Sequence, residues 1–281
     1  MKKVLTIAGS DCSGGAGIQA DLKTMTVQGV YGMSAITALT AQNTTAVTAI
    51  MPVKASFLLQ QLEAIFADIR PDAIKIGMLA NGELMGAVAD FFEAYVGKGE
   101  KLPIVLDPVM ISSSGHMLME DSAREQLIDR LFPWATVITP NLPEAEILAQ
   151  RTIETHDQMQ KAATYLSKKY DVAVLLKGGH CKTGASDVLV HNGKTVWFPG
   201  KPLANPNKHG SGCTLSSAIA CNLAKGNSLE QSCKEAKKYV ERAIEANLDL
   251  GKGQGPLNHM VWDAEEKPEN QEDCEPSIVN K

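Results

Sequence analysis

Five times in the first 170 residues, a short uninterrupted apolar run gives way to a segment of helical periodicity. VLTIA leads to 16–28, SAITALT to 55–68, AIKIGML to 81–95, PIVLDPV to 120–131, and TVITP to 143–149 and 156–169. A half-exposed strand alternates apolar with polar residues; these runs do not, which is how strands covered on both faces read. The pattern therefore predicts an α/β fold around a mostly parallel sheet. After VAVLLKGG at 172–179, the segment SDVLVHNGKTVWF at 186–198 places Asn192-Gly193 between two alternating runs, a β-hairpin signature. Helices are expected over 212–224 and 228–247. No linker rich in Gly, Ser or Pro separates two cores, so residues 1–263 read as a single domain and 264–281 as an acidic, polar, disordered tail.

Charge narrows the function classes. The net charge is −5, but residues 265–281 hold six acids against Lys267 and Lys281, which leaves the body nearly neutral. No basic stripe interleaved with aromatics is present, which argues against nucleic-acid binding. The six cysteines form no CxxC pair and have no histidine at metal-ligand spacing, so neither a disulfide framework nor a zinc site is suggested. The start, MKKVLTIAGSDCS, breaks its apolar run at Gly9-Ser10-Asp11, too early for a signal peptide, and no later run has the length of a membrane span. A cytoplasmic protein with reduced thiols and no membrane partner is expected.

In an open parallel sheet the ligand crevice lies beyond the carboxyl ends of the strands. Gly9 and Asp11, Gln42 and Asn43, Gly77 and Met78, Asp107, Asn141 with Glu144, and Lys177 to Gly179 all fall at such ends. The glycine-rich loop GSDCSGGAGIQADLKT at 9–24 invites a phosphate-binding reading. Gly9 to Gly14 has Walker A spacing, yet Gly15 and Ala16 stand where Lys and Ser/Thr are required. Gly15-Ala16-Gly17-Ile18-Gln19-Ala20 matches a dinucleotide fingerprint, yet no Asp or Glu follows between Asp21 and Glu63 to hold a ribose. What remains is a loop that brings bare backbone close to something small, or a plain turn in which Asp11 or Ser13 is a local cap.

The second cluster, NKHGSGCTLSSAIACNLAKG at 207–226, runs directly into an apolar helix. Free N–H groups of Gly210, Ser211, Gly212 and Cys213 would converge there with the positive end of the helix dipole behind them, a nest for an anion. The same field is expected to lower the thiol pKa of Cys213 and let it act as a base toward a hydroxyl. The alternative is a buried structural cysteine beside a helix cap.

Seven motifs in order, AGSDCSGGAGIQADLKT, AQNT, KIGML, VLDPVM, TPNLPEAE, LLKGGH and HGSGCTLSSAIA, resemble the hydroxymethylpyrimidine/phosphomethylpyrimidine kinases of thiamin biosynthesis, from about residue 3 to GPLNH at 255–259. The resemblance implies a ribokinase-like three-layer α/β/α fold. It implies an enzyme that phosphorylates the hydroxymethyl group of 4-amino-5-hydroxymethyl-2-methylpyrimidine and then its monophosphate, using ATP and Mg²⁺. By motif, Gln42 would hydrogen-bond the aminopyrimidine; Gly9, Ala16, Met78 and Val109 would shape its pocket; Asp21 would lie near its polar end. Gly210, Ser211, Gly212 and Cys213 would form the anion hole, with Cys213 where the wider superfamily has an aspartate base. Asp107, Asn141 and Glu144 would organise Mg²⁺, often through water, and Lys177 would neutralise ATP phosphate charge. The nest reads HGSGC where HGTGC is commoner; since the donors are backbone groups, this changes little. A homodimer is implied. The alternative on the same scaffold is a pyridoxine or pyridoxal kinase, and the glutamine of AQNT argues against it. A ligand-binding protein without turnover would be indicated by loss of Cys213 or the nest, and both are present.

Overall fold

The computed structural model describes residues 1–97, 102–110, 121–179, 181 and 184–261. The acidic tail expected at 264–281 lies outside the described residues. In chain order the elements are β1 Lys3–Asp11, α1 Gly17–Val27, β2 Tyr31–Gln42, β3 Val47–Pro52, α2 Ala55–Asp68, β4 Ala73–Ile76, α3 Gly82–Tyr95, β5 Ile104–Leu106, α4 Asp121–Gln126, β6 Val137–Ile138, α5 Leu142–Ala149, α6 His156–Tyr170, β7 Ala173–Leu176, β8 Asp187–His191, β9 Lys194–Phe198, α7 Ser211–Ala224 and α8 Leu229–Glu245.

The strands form one sheet in the order β3-β2-β1-β4-β5-β6-β7-β8-β9. β2, β1, β4, β5, β6 and β7 run parallel, while β3, β8 and β9 join through antiparallel pairs. The uninterrupted apolar runs are explained by helices on both faces. Leu5, Ile7, Ile74, Ile76, Leu106 and Val174 pack with α2, α3, α5 and α6, whereas Val4, Ala73, Val105 and Leu175 pack with Met25 of α1, Ile219 of α7 and Val240 of α8. This is the three-layer α/β/α architecture expected. The hairpin falls where Asn192-Gly193 places it, both residues having positive φ as a two-residue turn requires.

Two details differ from the sequence reading. β3 carries no pattern of burial, its apolar Ile50 and Met51 being exposed, so periodicity does not reveal it. The helix expected to end at 131 changes pitch after Gln126 into a wider π turn at Leu127–Leu131, then closes on a tight turn holding Pro133. Proline lacks the N–H that would continue the ladder.

The topology places the site. From β1 the chain crosses to β2 on one side and later to β4 on the other, so β1 is where the strand order reverses, and the crevice of such a sheet opens beyond its carboxyl end. The glycine-rich loop after β1 lies there.

Candidate active site

The first loop is held by Asp11. Its carboxylate accepts from Ser13 N (2.9 Å), Ser13 Oγ (2.7 Å), Ala16 N (2.9 Å) and the His209 ring (2.9 Å). Burial pushes this carboxyl up, but those hydrogen bonds outweigh it and hold its pKa at about 2. Gly9 lies against Met78, whose Cε would stand 3.3 Å from a Cβ added at Gly9, and Gly17 is pressed onto the Gly9 carbonyl. Gln42, at the end of β2, is joined to the loop by its backbone, which exchanges hydrogen bonds with the Cys12 thiol, and by its side-chain amide, 3.2 Å from His209 Nε2. Gly9, Ala16, Gln42 and Met78 are thus gathered at one rim. Val109 follows Asp107, its N–H donating to the Asp107 carbonyl (2.8 Å).

The nest at the start of α7 abuts this loop. Gly210 has φ of 84°, a left-handed conformation that suits glycine, and a side chain there would strike the Gly15 carbonyl. The first bond of the helix runs from Thr214 N to the Gly210 carbonyl (2.9 Å), so the N–H groups of Gly212 and Cys213 precede it. The Ser211 N–H closes a turn onto Lys208 O at 3.2 Å. The two glycine clusters, some two hundred residues apart, are one surface.

Cys213 overturns one expectation. The helix field was to lower its pKa, but burial raises it to about 11 against the opposing pull of the Lys75 ammonium, with Asp21 and Asp107 also raising it and the Gly17 N–H lowering it. Removing a thiolate from water outweighs the helix terminus.

Beyond the nest stand the charges. A Cβ at Gly212 would lie 3.2 Å from Asp107 Oδ2 and 3.3 Å from Lys177 Nζ. Lys177 pairs with Asp107 Oδ1 at 2.9 Å, and Thr139 Oγ1 donates to the same oxygen at 3.0 Å. Burial lowers the Lys177 pKa, but neighbouring Asp107 and Glu144 raise it further, so the ammonium persists. Asn141 and Glu144 form a capping box on α5: Asn141 Oδ1 accepts from Glu144 N (2.9 Å) and Glu144 Oε2 from Asn141 N (2.9 Å). Burial raises Glu144 to a pKa of about 7, with Lys177 lowering and Asp107 raising it. The carboxylates form no ready-made metal cage: among the described residues no group of three or more His, Cys, Asp or Glu converges. The donors are nonetheless hard oxygens around an anion nest, and Asp107 Oδ2 faces it while Oδ1 takes the protein's hydrogen bonds. Such a set fits a hydrated Mg²⁺ better than a fully ligated one.

Asp21 is the clearest correction. It was expected beside the acceptor, but it is fully buried, binding Lys75 Nζ through both oxygens (2.9 and 2.8 Å), Thr6 Oγ1 (2.6 Å) and Ser217 Oγ (2.7 Å). With four hydrogen bonds it has no capacity for a ligand. Sequence reasoning missed Lys75 and His209. Lys75 was findable: a lysine within AIKIGML, a strand covered on both faces, needs a buried carboxylate partner.

These pieces, backbone N–H groups at a helix start, a paired lysine, hard oxygen donors and a glycine-rich loop packed against them, are the parts phosphoryl transfer requires. A family profile described as phosphomethylpyrimidine kinase matches residues 11–258. The hydroxymethylpyrimidine/phosphomethylpyrimidine kinase of Haemophilus influenzae is 43% identical over 268 residues, covering 93% of this chain and 98% of that protein. The thiamine biosynthesis bifunctional protein ThiED of Geobacter sulfurreducens is 44% identical over 259 residues, 92% of this chain, which spans about half (52%) of that longer protein. The pyridoxal kinase of Staphylococcus aureus, solved with AMP-PCP and pyridoxal, superposes with a TM-score of 0.83 at 34% identity, covering 92% of this chain and 93% of that one. The fold is therefore ribokinase-like, the chain is a kinase, and with a profile match running from Asp11 to Asn258 it belongs to the phosphomethylpyrimidine kinase family.

Proposed function

We propose that the protein transfers the γ-phosphoryl group of ATP to the hydroxymethyl group of 4-amino-5-hydroxymethyl-2-methylpyrimidine, and then to the resulting monophosphate. The observation that carries this reading is the contact of Gly15 with Gly210, which sets the acceptor wall directly against the anion nest. Gln42 hydrogen-bonds the ring, while Gly9, Ala16, Met78 and Val109 shape its seat. The Gly212 and Cys213 N–H groups, with the α7 dipole behind them, stabilise charge on the transferring phosphoryl group. Lys177, held by Asp107, neutralises phosphate charge on the far side. Cys213 in its thiolate form receives the proton of the attacking hydroxyl and becomes a neutral thiol; a loose transition state needs little nucleophile deprotonation early, so this transfer comes late.

Mg²⁺ would be held by Asp107, with Asn141 and Glu144 acting through water, and would supply positive charge that offsets the charge of the phosphates. The residues otherwise position the reactants, which is most of what this chemistry demands.

The protein is proposed to work as a homodimer in the cytoplasm. The paired strands β2 and β3 at the sheet edge leave Leu39, Ile50 and Met51 exposed, an apolar edge that a second copy would cover. Among the described residues Cys12, Cys213, Cys221 and Cys233 are free thiols, as a reducing compartment allows. No described helix is long and apolar enough to cross a membrane.

Steady-state turnover of hydroxymethylpyrimidine, its monophosphate and pyridoxal with ATP tests the reading. Both pyrimidines are expected to be used; a preference for pyridoxal by orders of magnitude overturns it in favour of a vitamin B6 kinase.

A further inference from the structure

We propose that His209 is a positioning residue that fixes the orientation of the Gln42 amide, and thereby selects an aminopyrimidine edge in the acceptor. This rests on the acceptor site lying at Gln42. One nitrogen of the ring, Nε2, lies 2.9 Å from Asp11 Oδ2 and 3.2 Å from the Gln42 amide. The Asp11 carboxylate already accepts from two backbone N–H groups and the Ser13 hydroxyl, so it is an ionised acceptor, and Nε2 must carry the proton between them.

A protonated ring nitrogen cannot accept a hydrogen bond. The Gln42 atom turned toward His209 is therefore its oxygen, the two ends of an amide being exchanged by rotation about one bond. The amide nitrogen then faces Thr40 Oγ1, 3.2 Å away, and that hydroxyl passes its own proton to the Ser10 carbonyl at 2.9 Å. The chain of donors runs from Gln42 to Thr40 to Ser10 without conflict, whereas the opposite orientation would set an N–H against an N–H at His209. Each end of the amide is engaged once by protein, leaving one N–H and one oxygen lone pair. That pair complements a ring nitrogen beside an exocyclic amine.

His209 is itself rigidly seated. It is buried, its backbone N–H donates to the Gly255 carbonyl (3.2 Å), and a Cβ at Gly15 would come within 2.5 Å of its ring. It directly precedes Gly210, so the residue that aims the acceptor's partner adjoins the phosphate nest in the chain.

The experiment measures binding by calorimetry to wild type, His209→Phe, His209→Gln and Thr40→Val. The ligands are 4-amino-5-hydroxymethyl-2-methylpyrimidine and the same ring bearing hydrogen in place of the amino group. The wild type is expected to prefer the amino compound at least tenfold. His209→Phe and Thr40→Val should each lose most of that preference by weakening the amino compound alone, and His209→Gln, which retains a donor, should restore it. The nitrogen spectrum of His209 should show Nε2 protonated. Preference unchanged in folded His209→Phe and Thr40→Val, or an Nε2 that lacks a proton, overturns the inference; Thr40→Val carries the test should His209→Phe fail to fold. A wild type that does not bind the amino compound at all overturns the substrate reading instead, and the inference with it.

Discussion

At the scale of single residues, the role proposed for Cys213 sets the expected pH behaviour of the reaction. Its pKa is raised to about 11, so at neutral pH the thiolate that can accept a proton is a small minority. A group that works deprotonated and whose pKa lies above the assay range gives a rate that climbs with pH. With substrates saturating, log kcat is expected to rise with a slope approaching one between about pH 7 and 9. Cys213→Asp should flatten that slope, because a carboxylate is ionised throughout, and Cys213→Ala should lower kcat by about a hundredfold or more. A flat wild-type profile would remove Cys213 from the proton transfer. Gly9 offers a second single-residue test. A side chain there must displace Met78, so Gly9→Val is expected to raise KM for the pyrimidine by about tenfold while leaving KM for ATP nearly unchanged.

At the scale of elements, Asp21 joins four of them. It lies on α1 and binds Thr6 of β1, Lys75 of β4 and Ser217 of α7, one turn beyond Cys213. Lys75 stays charged in this buried setting: burial would lower its pKa, but the charge and hydrogen bonds of Asp21, with the charge of Asp107 beyond, raise it. A buried pair of this kind contributes little net stability, yet breaking it leaves an uncompensated charge. Lys75→Met alone is therefore expected to cost about 3–5 kcal/mol in urea unfolding, and adding Asp21→Asn should recover much of that. Equal losses in the single and double variants would mean that packing, not charge, is what the pair supplies. The nest obeys the same logic of close contact. Gly210→Ala would push a methyl group into the Gly15 carbonyl in a left-handed conformation, separating acceptor wall from phosphate nest.

At the scale of the whole molecule, the proposed homodimer is tested at the sheet edge. Met51 on β3 stands opposite Leu39 on β2, and both are exposed. A charge placed in this apolar edge, Met51→Lys, is expected to shift the protein to a monomer in light scattering at micromolar concentration without lowering its melting temperature. A monomeric wild type, or a variant that remains dimeric, would exclude this edge as the interface.

The alternation of buried strands and helices determined the layers, because a parallel sheet covered on both faces has no room for polar alternation. The turn at Asn192-Gly193 was local chemistry and needed nothing from the rest of the chain. β3 left no trace because it has no buried face to print a period on the sequence. Gln42, Lys177, Asp107 and the Gly210–Cys213 cluster could be picked out as strand-end and helix-start residues, and resemblance assigned them roles. What only the tertiary structure decided were the pairings across long separations: Asp21 with Lys75, Asp11 with His209, and Gly15 against Gly210. It also reversed the expected shift of Cys213, since a helix terminus is visible in a sequence but the desolvation that overrides it depends on what the rest of the chain packs around the thiol.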